Sequence, residues 1–242
     1  MLRLVSSAAI AISLLAAASP VETITSGGRQ RTYHLYVPPA AGADPLPLVV
    51  LLHGSGRHGD SLIDPWKSLA KSEKVVLVAP DSLNPAGWTT PDDGPDFVYD
   101  VVEAVKKSRR IDGRAVYLFG HSAGAVFGLS MGLLESRYFA AVAVHAGAFR
   151  DRGEFVYVAQ AKRKIPFAVW VGTEDRFFPV ASVRATRDAF AAEGLPFELT
   201  EIRGHDHNYY ARAGDINKQA WAFLKTRVLG TDPEYERYEF SR

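Results

Sequence analysis

The chain has 242 residues, with 28 Lys or Arg against 27 Asp or Glu for a formal charge of +1, and it contains no cysteine. Disulfides, thiolate metal sites and cysteine nucleophiles are therefore excluded, and the near-neutral balance argues against nucleic acid or another polyanion as the main partner. With 47% hydrophobic residues, the length suits one large domain whose core needs no disulfide.

Residues 1–18 read as a secretory signal peptide. Arg3 supplies a positive start, "LVSSAAIAISLLAAA" an apolar stretch, and Ala16 with Ala18 a small-residue cleavage site that leaves Ser19 as the new N-terminus. The run is short for a bilayer span, and no later apolar run is long enough for one. The expectation is a secreted or periplasmic protein whose mature chain, 19–242, forms a single domain without a membrane span.

"VETITSGGRQRTYHLYVP" then predicts a hairpin turning at Ser26-Gly27-Gly28-Arg29. "PLPLVVLLHG", "KVVLVAPD", "AVYLFGHS", "FAAVAVHAG", "PFAVWVGTED" and "FELTEIRGHDH" follow. Each is short, rich in β-branched and apolar residues, and stops at Gly, Pro, Asp or His. Such runs are strands buried on both faces of a parallel sheet. Helical patterns alternate with them at 61–72, 97–109, 123–134, 180–193 and 215–228. The alternation predicts an α/β fold, a mostly parallel central sheet with helices on both faces. The longest irregular stretch, Pro80 to Pro95, follows a strand at the sheet edge where open α/β folds bind ligands.

The chemistry centres on Gly120-His121-Ser122-Ala123-Gly124, which fits G-x-S-x-G between a predicted strand and a predicted helix. That context makes Ser122 a candidate nucleophile on a sharp turn, with small neighbours relieving clashes. A serine hydroxyl needs a base held by an acid. Asp175, with Glu174 as the lesser candidate, ends one later strand, and His205 and His207 follow the last. Lying two positions apart, the two histidines share a face of an extended segment, so periodicity does not choose between them. Two backbone N–H groups are expected to form the oxyanion hole, that of Ala123 and that of Ser55 in "HGSG", with Gly56 as the alternative to Ser55. His53 is expected to prop this loop. Trp88 is read either as a stacking surface for an aromatic acid or sugar ring or as loop packing, and His145 either as a pocket residue or as a hydrogen-bonded structural one. His205-x-His207 and His53 with His58 could offer nitrogen ligands, but no third ligand has metal spacing, so no metal is expected. Nothing in the pattern asks for a cofactor.

Together, "LLHGSG", "GHSAG", "VGTED" and "GHDHNYY" resemble the α/β-hydrolase superfamily, from about Arg31 to Val228. The chain looks like secreted esterases of the poly(3-hydroxybutyrate) depolymerase and feruloyl esterase type. Its histidine segment is similar to that of S-formylglutathione hydrolases and esterase D enzymes. In that segment, G-x-D-H-x-Y-Y, the hydrolase histidine falls on His207, which makes His205 the alternative. The resemblance implies a serine carboxylesterase that hydrolyses a feruloyl, acetyl, short hydroxyalkanoate or carbohydrate-linked ester through an acyl-enzyme. An acyltransferase using the same residues, or a non-catalytic binding protein on the same scaffold, are the alternatives. Only 20 residues, Ala146 to Ile165, separate two of the strand runs where large caps often enter, so no large cap domain is expected.

Overall fold

The computed structural model describes residues 20–39 and 44–238. The expected signal segment lies outside these residues. Eight strands form a single sheet in the order β1-β2-β4-β3-β5-β6-β7-β8. β1 (Val21–Ser26) and β2 (Arg29–Tyr36) are the expected antiparallel hairpin, turning through Gly27 and Gly28, and β2 pairs antiparallel to β4 (Val76–Pro80). From there β4, β3 (Leu46–Leu52), β5 (Ile111–His121), β6 (Ala141–His145), β7 (Phe167–Gly172) and β8 (Phe197–Ile202) run parallel.

The continuous apolar runs arise because the central strands are covered on both faces. Every residue of β4, β6 and β7 is buried. In β5, Tyr117 and Phe119 point to one side, where Phe119 meets Trp66 of α1 (Asp60–Glu73) and Tyr209 of α6 (Tyr209–Leu224), and Tyr117 meets Trp221 of α6. Leu118 faces the other way. Its registered neighbour Val142, and Val144 two residues on, lie against Gly132 and Gly128 of α3 (Ala123–Leu134). α2 (Pro95–Ser108) and α5 (Val180–Ala192) join α3 on that side. Glu103 of α2 accepts a hydrogen bond from the Tyr138 hydroxyl at 2.7 Å, and Phe190 of α5 packs edge-on to Phe167 at 4.9 Å. Each fully buried large apolar side chain contributes about 1.5–3 kcal/mol of transfer free energy.

α6 starts at Tyr209, six residues before the periodicity suggests, across a non-helical Arg212. Between β6 and β7 the chain forms only the short α4 (Arg152–Phe155) and a 3-10 turn over Val156–Gln160. The irregular stretch after β4 is pinned by a buried ion pair. Arg31 of β2, stacked on Phe97, donates to Asp93 at 2.6 Å, and Asp93 also accepts the N–H groups of Leu83 and Thr89. Beyond α6 the tail turns back across the start of β5. Leu229 N–H donates to Arg114 O, Glu234 N–H to Arg137 O, and Tyr235 stacks on Tyr99 of α2 with centroids 3.9 Å apart.

Candidate active site

Ser122 stands at the junction of β5 and α3 with φ 57° and ψ −119°. Positive φ is costly for a residue with a Cβ and persists only where the surroundings impose it. Here they do. Ser122 N–H donates to His145 O at 3.1 Å, and its own carbonyl accepts from Ala125 and Val126. The turn also needs two bare backbones. A Cβ on Gly120 would run into the Gly124 carbonyl, and one on Gly124 into the Leu52 and His53 carbonyls. The serine is thereby lifted clear of the sheet.

Two loops from the same sheet edge reach Ser122. His207, five residues past β8, has Nε2 2.9 Å from Ser122 Oγ and Nδ1 2.8 Å from Asp175 Oδ2. Asp175, three residues past β7, is buried, and its other oxygen accepts the Phe177 and Phe178 N–H groups, both at 2.8 Å. Burial alone would raise the Asp175 carboxyl, but the His207 hydrogen bond and these backbone donors outweigh it and hold the group below the usual carboxylate range. An ionised Asp175 accepts from Nδ1–H, which leaves the Nε2 lone pair toward the serine hydroxyl. Phe178 stacks on the His207 ring at 5.8 Å, and Phe177, 65% exposed, lies 4.8 Å from it. Glu174 is exposed and contributes its N–H to His205 O.

The "HGSG" loop after β3 closes the other side. Gly56 N–H is engaged by Pro85 O at 2.7 Å, whereas Ser55 N–H has no acceptor among the described residues. Ala123 is the first residue of α3, where no intrahelical acceptor exists for its N–H. The N–H groups of Ser55 and Ala123 are thus without an acceptor among the described residues. A cavity of about 320 Å³ at this point is lined by Ser55, Arg57, His121, Ser122, His207 and Tyr210, among others. A half-buried serine at the cavity wall, bonded to an oriented base and with free N–H groups beside it, can carry acyl transfer.

The model of the alpha/beta hydrolase family matches residues 49–238. The chain belongs to the alpha/beta hydrolase family. No curated protein matches it. Among solved structures it is similar to a thermostable esterase, with 20% identity and a TM-score of 0.68 over 88% of this chain and 64% of that one. It is also similar to an S-formylglutathione hydrolase from Agrobacterium tumefaciens, with 19% identity and a TM-score of 0.69 over 86% and 94% of the two chains. A ferulic acid esterase gives 16% identity and a TM-score of 0.68 over 85% and 97%. At these identities the likeness is one of fold.

In this alpha/beta hydrolase three further residues can be placed. His53 is fully buried and props the loop, as expected: its Nδ1–H donates to Gly54 O at 2.9 Å and its Nε2 accepts Ser82 N–H at 3.1 Å. Trp88 packs its loop rather than offering a stacking face. Its ring is stacked on Phe127 and set against His53, both at 4.8 Å, while its Nε1–H donates to His53 O. Of the two readings of His145, the hydrogen-bonded structural one fits its surroundings. His145 is fully buried, and both its ring nitrogens are taken up by His121 and His205. That bond to His145 is also where His205 is directed. Sequence reasoning did not single out Arg57, His121 or Tyr210 as pocket residues; their signal was their position within the loop, elbow and histidine motifs. Among the described residues, no group of three or more His, Asp or Glu side chains stands at metal-ligand spacing, and no helix is long and apolar enough to cross a membrane. A larger cavity, about 870 Å³, lies under the tail between Tyr99, Tyr138 and Tyr235, away from Ser122.

Proposed function

We propose that this alpha/beta hydrolase is a serine carboxylic ester hydrolase working through an acyl-enzyme. The observation that carries the reading is the continuous chain from Ser122 Oγ through His207 to Asp175, with links of 2.9 and 2.8 Å. Ser122 Oγ attacks the ester carbonyl carbon as His207 Nε2 takes its proton, and the tetrahedral oxyanion is held by the Ser55 and Ala123 N–H groups. The imidazolium, stabilised by Asp175, returns that proton to the departing alkoxide oxygen, and the alcohol leaves. Water then gives a proton to His207 and attacks the acyl carbon. Collapse of the second tetrahedral adduct returns the proton to Ser122 and releases the acid.

The fold likeness to an esterase, an S-formylglutathione hydrolase and a ferulic acid esterase supports the ester as the bond attacked. The exposed Phe177 ring beside the base offers an apolar surface to an acyl chain or an aromatic acid. Residues 1–18 fit delivery of the enzyme outside the cytoplasm, where it would meet feruloyl, acetyl, short hydroxyalkanoate or carbohydrate-linked esters.

A fluorophosphonate probe tests the reading. One equivalent should attach to Ser122 and abolish hydrolysis of p-nitrophenyl acetate, and Ser122→Ala should neither take the label nor turn over. A label mapped to another residue of folded, active protein overturns the assignment. A panel of p-nitrophenyl esters, methyl ferulate and acetylated xylan then ranks the substrates.

A further inference from the structure

Three buried histidines form a chain beside the site. His121 Nδ1 lies 3.1 Å from His145 Nδ1, and His145 Nε2 lies 3.1 Å from His205 Nε2. They are 7%, 0% and 4% exposed. Burial, reinforced for His121 and His145 by histidine neighbours, pushes all three below the ordinary imidazole value, so each ring is neutral. A neutral imidazole has one N–H and one lone pair. Each link therefore has one donor and one acceptor, and fixing any one tautomer fixes all three.

The carboxylate at one end sets it. Beyond His205, its free Nδ1 stands 4.0 Å from an Asp206 carboxylate oxygen, which favours a proton on that nitrogen. His205 Nε2 is then the acceptor, and His145 Nε2–H donates to it. His145 Nδ1 in turn accepts from His121 Nδ1–H. His121 Nε2 is left with a bare lone pair. Arg57 lines the same cavity at that end. The opposite sense would aim a lone pair at Asp206.

His121 lines the cavity next to Ser122, and its Nε2 has no partner among the described residues. That nitrogen is not one of the two buried unpartnered side-chain atoms, Trp66 Nε1 and Tyr210 Oη, so it reaches the cavity solvent. Arg57, 5.1 Å over the Tyr210 ring, makes no hydrogen bond or ion pair among the described residues. One acceptor and one cationic donor thus stand together with unmet capacity.

We propose that His121 is a specificity-determining residue whose Nε2 accepts a hydrogen bond from a hydroxyl on the alcohol portion of the ester, which makes esters of polyhydroxylated alcohols the substrate class. The inference rests on the ester-hydrolase reading. The alcohol side follows from His207, whose Nε2 must reach the leaving oxygen and whose ring is 5.0 Å from that of His121. Arg57 would meet a neighbouring hydroxyl. A plain alkyl alcohol would leave these groups without partners, a loss of about tenfold for one neutral hydrogen bond.

Two ester pairs test this. Glycerol 1-butyrate and propyl butyrate differ in hydroxyls on the alcohol, and ethyl 3-hydroxybutyrate and ethyl butyrate in a hydroxyl on the acid. The wild-type enzyme should favour glycerol 1-butyrate by about tenfold in kcat/KM, and His121→Phe should bring that ratio close to unity while leaving the second pair's ratio unchanged. An unchanged glycerol-to-propyl ratio in folded His121→Phe, or a change confined to the acid pair, overturns the proposal. Long-range 1H–15N correlation spectra of the wild-type protein read the tautomer without any variant. A bare His121 Nε2 supports the chain's sense, and a protonated one overturns it. Propyl butyrate hydrolysis and fluorophosphonate uptake report on the ester-hydrolase reading separately. If both are absent, that reading fails together with the substrate class, whereas normal uptake and turnover without discrimination fail the His121 role alone.

Discussion

His205 and His207 are two positions apart in the chain, yet their rings have different partners: His207 Nε2 lies 2.9 Å from Ser122 Oγ, and His205 Nε2 lies 3.1 Å from His145 Nε2. The chain turns between β8 and α6 through Gly204, at φ 67°, so strand alternation does not continue past Ile202. His207→Ala should lower kcat on p-nitrophenyl acetate by about 10⁴-fold or more, because nucleophile, base and acid act as a unit. His205→Ala should keep measurable turnover, reduced through loop geometry. Stopped-flow and steady-state rates on variants checked by circular dichroism decide it. A dead, folded His205→Ala beside an active His207→Ala would reverse the roles.

Gly124 has no room for a methyl group, because the carbonyls of Leu52 and His53 already occupy the space. Gly124→Ala should cost more than about 3 kcal/mol, since backbone rather than a flexible side chain must move. Gly214, inside α6, has nothing within 4 Å of an added Cβ. Gly214→Ala should instead gain roughly 0.5–1 kcal/mol from helix propensity. Thermal unfolding of the pair measures both signs.

Asp81 ties the end of β4 to its neighbours. It accepts from Gly59 N–H at the start of α1 and from the Thr32 hydroxyl, and it faces His34 Nε2 at 3.3 Å. Burial works to raise its carboxyl, but the hydrogen bonds from His34, Gly59 and Thr32 prevail and lower it to about 2. A depressed carboxyl stabilises the fold above its unfolded pKa and loses that contribution as pH falls through the folded value. Asp81→Asn should therefore cost about 2 kcal/mol near pH 7, with the gap closing between about pH 4 and pH 2. Urea unfolding across that range gives the curve. A gap that widens in acid would contradict it.

The N-terminal segment predicts a processing event. Protein recovered from the periplasm or medium of an expressing cell should begin at Ser19, as read by intact-mass spectrometry. Material that retains Met1 outside the cytoplasm counts against cleavage.

The parallel core was legible because its strands are covered on both faces, and double burial writes itself as unbroken apolar runs such as Val49–Leu52 and Val142–Val144. The elbow was legible because its steric demand restricts residues 120 and 124 to glycine. Other features depend on contacts between segments far apart in the chain. No local pattern directs His205 to His145 or occupies Gly56 N–H with Pro85. The covered faces of Trp88 depend on Phe127, which lies in another element. Residues 152–160 bury only Val158, too little to leave a periodic trace. At α6, the glycine at 214 and the kink at Arg212 concealed the true start.

The hydrogen bond from Leu229 to Arg114 anchors the start of the tail where β5 begins, whereas Ser122 follows the residue where β5 ends. At about 3.3 Å per strand residue, these points are roughly 25 Å apart on opposite edges of the sheet. A bead or solid support coupled through a single cysteine placed at the exposed Gly230, next to Leu229 in a chain that has no other cysteine, would grip the molecule from the edge remote from the cavity. Catalyst tethered this way should keep its mouth turned toward the liquid, and bulky esters should reach it as freely as they reach the unattached protein.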